Sequence, residues 1–138
     1  MKIKLIHFII SSFICSMCVG QFQSTSLNNF DSLNRKQGFW LEPIDTSSIL
    51  VNYYESGLLN GTSSKYLHGV LISKTNYLNG LKNGAEILFN NNGYPLEIIN
   101  FKNGNRDGLC MFYFENGCLR STNNFTENLL DGLSVFYD

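Results

Sequence analysis

The sequence predicts an all-β fold: an elongated antiparallel meander of stacked β-hairpin repeats, preceded by an N-terminal signal helix. The first observation is a recurring motif, an aromatic residue followed by glycines three and seven positions later. It occurs at Tyr54–Gly61, Tyr77–Gly84 and Phe101–Gly108, and at Phe125–Gly132 with Asn128 replacing the first glycine. The second glycines are 23, 24 and 24 residues apart. Such a fixed period indicates a repeat architecture.

The second observation is the pattern of residues between two motifs. After Gly84, the apolar residues Ala85, Ile87 and Phe89 alternate with other residues, which is the period of a β-strand. The dipeptide Asn92-Gly93 follows and predicts a tight type I′ turn. The next apolar run leads back to Phe101, so each unit is predicted as strand, tight turn, strand and wider turn.

Composition limits the class of protein. The chain has 138 residues, of which 43% are hydrophobic and 15% charged, which suits a single folded domain. The formal net charge is −1 and no basic cluster occurs, so a nucleic-acid partner is not expected.

The N-terminal residues have the pattern of a secretory signal. Lys2 and Lys4 precede an apolar run, Leu5–Val19, and small residues lead to an expected cleavage near Gly20–Gln21. The predicted localisation is therefore secreted or periplasmic, in the cell envelope. A retained membrane anchor and a lipoprotein signal are the alternatives, and a membrane is an expected partner only if the segment is retained.

The chain divides into three predicted parts. Residues 1–20 form the signal peptide, residues 21–37 a polar flexible linker, and residues 38–138 the repeat domain, with units starting near residues 38, 61, 84, 108 and 132. The first unit is irregular: Leu50–Tyr54 is predicted as its return strand and Pro43–Ser48 as a looser connection. The last unit begins at Leu133 and holds one strand.

Two sets of repeated residues are the candidate functional and structural positions. The glycines are predicted turn residues, because glycine adopts positive φ without strain: Gly57, Gly61, Gly80, Gly84, Gly104, Gly108 and Gly132. The aromatic residues are interpreted either as ladder packing within the repeat or as an exposed binding stripe: Trp40, Tyr54, Tyr66, Tyr77, Phe89, Phe101, Tyr113, Phe125 and Tyr137.

These motifs resemble the MORN repeat and, more closely, the bacterial antitoxin-like MORN-variant repeat. The resemblance covers residues 36–138 and implies stacked hairpins that bind proteins or act near membranes. Its antitoxin-like character implies the binding of a toxic partner protein. The matching residues are Gln37–Trp40; Tyr54, Gly57 and Gly61; Tyr77, Gly80 and Gly84; Phe101, Gly104 and Gly108; Phe125 and Gly132.

No set of residues predicts catalysis, a metal or a cofactor. His68 is interpreted as a polar turn residue, because no nucleophile or acid stands near it at the spacing of a catalytic triad. Glu86 and Glu97 are the one pair of carboxylates expected to face each other across a hairpin. Cys110 and Cys118 flank a turn, and two buried free thiols are favoured over a disulfide, since Cys110 is expected to face Asn123.

The predicted function is that of a non-enzymatic protein-binding or scaffold module, with another protein or a cell-envelope component as partner. The first alternative is an antitoxin-like or immunity-type binder of a toxic protein. The second is a cell-envelope enzyme, or an enzyme accessory, whose site the sequence does not reveal.

Overall fold

The computed structural model describes residues 27–138, and the predicted signal peptide lies outside them. Within this range the protein is all-β, with no helix. Its strands are β1 (Asn29–Phe30), β2 (Lys36–Pro43), β3 (Ser48–Glu55), β4 (Leu58–Leu59), β5 (Gly61–Leu67), β6 (Val70–Leu78), β7 (Leu81–Phe89), β8 (Pro95–Lys102), β9 (Asn105–Arg106), β10 (Gly108–Tyr113), β11 (Leu119–Thr126), β12 (Leu129–Leu130) and β13 (Val135–Phe136).

All described strands belong to one open antiparallel sheet. Its order is β1-β2-β3-β5-β6-β7-β8-β10-β11-β12, while β4, β9 and β13 pair with β3, β8 and β11. Each long strand therefore lies beside the next one in the chain, which confirms the predicted meander of hairpins. Strand β1 and the first residues of β2 lie within the stretch that the sequence presents as an aperiodic linker.

The motif glycines form tighter turns than the sequence predicts. Tyr77 pairs with Lys82 and Leu78 with Leu81, which leaves only Asn79 and Gly80 in the loop. Both have positive φ, 50° and 83°, the geometry of a type I′ hairpin turn. The same two-residue turn recurs at 56–57, 103–104 and 127–128. At the last of these Asn128 has φ 70°, a conformation that asparagine tolerates.

Asn92-Gly93 lies in a wider loop, so the predicted type I′ turn at this dipeptide is wrong. Gly93 has φ 82°, and its N–H donates to the carbonyl of Asn90 at 3.0 Å. The side-chain oxygen of Asn90 also accepts from the N–H groups of Asn92 and Tyr94. This capping by Asn90 favours a three-residue loop, 91–93, and a register shift follows at Leu88/Phe89.

The second glycine of each motif lies in a β-bulge. Between the pairs Tyr77↔Lys82 and Thr75↔Glu86, residues 83–85 stand opposite the single residue Asn76. Two extra residues therefore enter β7 where Gly84 has φ 93°. A Cβ at Gly84 would lie 3.5 Å from the Asn76 side chain, an ordinary contact, so glycine is favoured there by its positive φ and not by lack of space.

Neighbouring type I′ turns bind one another along one edge of the sheet. The N–H of Gly80 donates to the carbonyl of Leu59 at 2.7 Å, and that of Gly104 donates to Lys82 at 2.8 Å. Gly57 and Asn128 make the equivalent bonds, to Lys36 and Arg106. Lys36, the first residue of β2, thus provides the first acceptor in this series of turn hydrogen bonds.

The sheet has two faces of different chemistry, because alternate residues of a strand point to opposite sides. The polar face carries the three carboxylates that lie inside long strands: Glu42, Glu86 and Glu97. The opposite side, here named the apolar face, carries Val51, Ile87 and other aliphatic residues. Among the described residues the buried hydrophobic ones are Tyr66, Ile99 and Cys110, which reflects a fold of one layer.

The two cysteines are separated by the loop geometry. Cys110 pairs with Asn123, as the sequence predicts, and is 0% exposed. Cys118 follows Gly117 in the loop and is exposed, so the expectation of two buried thiols is wrong for this residue. Both are free thiols.

A glycine substitution tests the turn assignment. We expect Gly104→Val to lower the free energy of unfolding by at least about 1–2 kcal/mol, because a β-branched residue is strained at φ 87°. Asn128→Gly is the matched control, since it keeps the same turn and should change stability little. Urea unfolding of both variants gives the comparison, and equal stabilities for Gly104→Val and wild type would contradict the turn geometry.

Thiol labelling tests the placement of the cysteines. Iodoacetamide should modify Cys118 in the native protein and Cys110 only after denaturation, because the latter side chain is inaccessible. Peptide mapping by mass spectrometry distinguishes the two sites. Labelling of Cys110 at the rate of Cys118 under native conditions would contradict the predicted burial.

Candidate functional site

A continuous row of paired residues crosses the apolar face. Each member is the cross-strand partner of the next, and six of the nine are apolar. We name this set the apolar row: Leu41, Val51, Ser64, Lys74, Ile87, Ile98, Met111, Thr122 and Val135.

The apolar row remains partly exposed. Leu41, Val51, Ile87, Ile98 and Met111 are all half-buried, and no second layer of described residues covers them. Side chains of one antiparallel sheet usually pack against a core on one side only. An apolar face without such a cover is therefore a candidate contact surface.

The predicted aromatic stripe divides between the two faces. Alternation and register place Trp40, Tyr54, Tyr77, Phe101 and Phe125 on the polar face. They place Tyr66, Phe89, Tyr113 and Tyr137 on the apolar face. Tyr66 lies opposite Ile49 and is buried, whereas Tyr137 is exposed. The nine aromatic residues thus form two series on opposite faces of the sheet. They do not form one continuous stripe.

On the polar face, cations lie over the rings of the first series. The Lys36 ammonium is 4.7 Å from the ring centroids of both Trp40 and Tyr54. Its Nζ also donates to the carboxylate of Glu42, which accepts from Asn52 Nδ2 as well. The cluster therefore combines an ion pair with cation–π contacts.

The charges in this cluster alter the pKa values of its members. Partial burial raises the pKa of Glu42, but the hydrogen bonds from Lys36 and Asn52 outweigh it and hold the pKa below its ordinary value. The hydrogen bond to Glu42 raises the pKa of Lys36. Both shifts favour the charged forms of the pair.

A second cluster repeats this arrangement two units later. Lys82 Nζ lies 4.7 Å from the Phe101 ring centroid and donates to Glu86 Oε1 at 2.6 Å. Thr75 Oγ1 donates to the same carboxylate oxygen at 3.0 Å. One unit farther along, the Arg106 guanidinium lies 5.8 Å from the Phe125 ring centroid.

These cations replace direct stacking of rings along the sheet. Within residues 27–138, ring–ring contacts occur at the N-terminal end, between Phe30 and Trp40, Phe39 and Tyr53, and Trp40 and Tyr54. Farther along the polar face, Lys82 and Arg106 contact the rings of Phe101 and Phe125. Those rings are therefore partly covered and offer a poor platform for stacking a flat ligand.

The candidate catalytic residues are not brought together. His68 is an exposed residue of a two-residue turn, and its side chain makes no hydrogen bond within the described part of the chain. Glu86 lies opposite Ile99, and Glu97 lies opposite Leu88. The expectation that the two carboxylates face each other is therefore wrong. The extra loop residue and the adjacent bulge at Leu88/Phe89 offset each other, so the hairpin keeps the register of a two-residue loop, in which these two carboxylates are not paired.

Three further features of residues 27–138 bear on the class of site. No three His, Cys, Asp or Glu residues gather in a way that could hold a metal ion. No helix is long and apolar enough to cross a membrane. A depression of about 490 Å³ lies beside the loop after β7 and is lined by Phe89, Asn90, Asn91, Asn92, Leu96 and Glu115.

Comparison with known proteins adds no family. No family model matches this chain, and no curated protein does. The similarity to the MORN-variant repeat therefore stays a prediction from the repeated motif.

Sequence reasoning missed the apolar row, although a signal for it was present. Ile87 and Ile98 stand at similar distances from the loop between them, as do Met111 and Thr122 from the next loop. Two-residue loops already give these pairs within each hairpin, but the alignment of one hairpin with the next depends on the bulges at the motif glycines. The positions of those bulges were supplied only by the structure.

The ion pair at the first cluster predicts a pH-dependent stability. Because the pKa of Glu42 is lower in the folded than in the unfolded state, its stabilising effect is complete above the ordinary value of 4.5 and is lost as pH falls through the folded-state pKa. Glu42→Gln should therefore cost about 0.5–1 kcal/mol at pH 7 and progressively less at lower pH.

Urea unfolding between neutral and acidic pH measures this difference. Glu127→Gln, in an exposed turn, is the control and should change stability little at any of these values. A cost of Glu42→Gln that stays constant as the pH falls below 4.5 would contradict the assignment.

Proposed function

We propose that this protein is a non-enzymatic protein-binding module that uses its apolar face to contact a partner. The repeat domain then serves as a rigid hairpin scaffold, elongated and MORN-like as the motif resemblance implies. Its proposed site of action is outside the cytoplasm, in the cell envelope or secreted, which rests on the signal pattern of residues 1–20.

The observation that supports this proposal is the apolar row. It crosses nine strands, which at a spacing of about 4.8 Å corresponds to a length of about 38 Å. Further apolar residues flank it on the same face, including Phe39 and Leu109, both of them exposed. A surface of this extent can supply the ~800 Å² that one partner contributes to a standard interface.

The energetics favour a partner that covers this face. Full burial of one aliphatic side chain contributes about 1.5–3 kcal/mol, and five of the six apolar side chains of the row are only half-buried in the free protein. The strand backbones are already fixed by cross-strand pairing, so binding costs little conformational entropy. A rigid apolar surface of this kind suits protein recognition.

A matched pair of exposed leucines tests which face binds. Leu109 lies on the apolar face and is 46% exposed, and Leu88 lies on the polar face and is 41% exposed. A photoreactive benzoylphenylalanine at each position, in the native host, should give a covalent adduct from position 109 and not from position 88.

The adduct from position 109 should disappear when Ile98→Glu introduces a charge into the apolar row. The stability of this variant is checked by urea unfolding, and Ile98→Leu, which keeps the apolar character, should preserve the adduct. Equal adducts from positions 109 and 88, or an adduct that survives Ile98→Glu in the folded protein, would contradict a role for the apolar face.

A further inference from the structure

Three equivalent cations on the polar face differ in whether a carboxylate of the described residues pairs with them. The backbone carbonyls of Lys36, Lys82 and Arg106 each accept the N–H of a tight turn. Each cationic side chain lies over the ring of the next return strand. Lys36 pairs with Glu42 and Lys82 with Glu86. Among residues 27–138, the Arg106 guanidinium has no carboxylate within ion-pair distance.

The missing carboxylate has a simple origin in the sequence. Glu86 stands four residues after Lys82, and the residue four after Arg106 is Cys110, which is fully buried and uncharged. The aromatic part of the cluster is retained, since Phe125 lies 5.8 Å from the guanidinium. Among the described residues, the third cluster is thus a cation on a ring without the carboxylate that accompanies Lys36 and Lys82.

We propose that this third cluster docks a partner protein through an acidic residue flanked by apolar residues. The carboxylate of that residue pairs with the exposed Arg106 guanidinium, as Glu42 pairs with Lys36 and Glu86 with Lys82. The flanking apolar residues contact Leu130, which is paired beside Phe125 and is 58% exposed. We name Arg106, Phe125 and Leu130 the arginine cluster.

The chemistry of the cluster selects a carboxylate. A guanidinium presents parallel N–H donors that match the two oxygens of a carboxylate, and such charge-assisted pairs are stronger than neutral hydrogen bonds. The two clusters inside the chain show that this fold accommodates a carboxylate beside a cation and a ring. A single arginine on a flat sheet also suits one carboxylate better than a polyanion, which needs several cations.

The test uses a peptide probe and the Arg106 side chain as its own reporter. N-acetyl-Leu-Glu-Leu-amide is titrated into the isotope-labelled protein, and the Nε–Hε resonance of Arg106 is followed by NMR. The glutamine peptide of the same sequence is the matched control. A saturable shift with the glutamate peptide alone is expected, and it should weaken as salt screens the charges.

Two arginine variants separate a specific site from general attraction. Arg106→Gln should weaken binding of the glutamate peptide by about tenfold or more, because it removes the charged donor. Arg120→Gln, at another exposed arginine, should leave binding unchanged. Binding to the variants is followed by the backbone amide of Phe125, and urea unfolding verifies that both are folded.

Other outcomes would overturn the proposal. Equal shifts with the glutamate and glutamine peptides would show that charge is not recognised. Equal loss in both arginine variants would show a general effect of positive charge. A shift of the same size with acetate alone at the same concentration would reduce the cluster to a contact with any small anion.

This inference stands apart from the proposed role of the apolar face, because the arginine cluster lies on the opposite side of the sheet. Crosslinking at Leu109 reports on the apolar face, and the Arg106 resonance reports on the polar face. Failure of either experiment therefore leaves the other proposal to be judged on its own result.

Discussion

Backbone hydrogen bonding across one open sheet is the constraint on which this protein depends. Within the described residues a few hydrophobic side chains are buried, so stability cannot come from a thick core. The cross-strand ladders are supplemented by bonds between turns, such as that from the N–H of Gly104 to the carbonyl of Lys82. Each repeat is therefore fixed mainly by its neighbours, as in other repeat architectures.

Because the sheet is held together by hydrogen bonds and not by a core, its two faces differ in how their side chains are stabilised. Charged groups on the polar face find partners within the sheet. Lys82, for example, pairs with Glu86 and lies over the ring of Phe101 on the next strand. Within the described residues nothing covers the apolar face, and most of its apolar side chains remain partly exposed. The single sheet thus has one face stabilised by its own polar contacts and one apolar face without such contacts.

Two differences between repeat units have different structural consequences. Replacement of the first motif glycine by Asn128 preserves the turn, because asparagine adopts the same positive φ. Cys110 stands where the preceding unit has Glu86, and Arg106 has no carboxylate within ion-pair distance among the described residues. The first difference leaves the fold unchanged, and the second is the basis for the acidic partner proposed for Arg106.

The sequence alone determined the all-β class, the period of the hairpins and the positions of the turns within the repeats, because glycine spacing and two-residue alternation are local properties. It also placed Cys110 opposite Asn123. Only the tertiary structure decided which turns are tight, how neighbouring hairpins are aligned, and on which side each aromatic series lies. The physical reason is that a bulge shifts the register of a strand against its neighbour, and sequence alternation does not reveal these insertions. The apolar row and the isolated charge of Arg106 emerge only once that register is known.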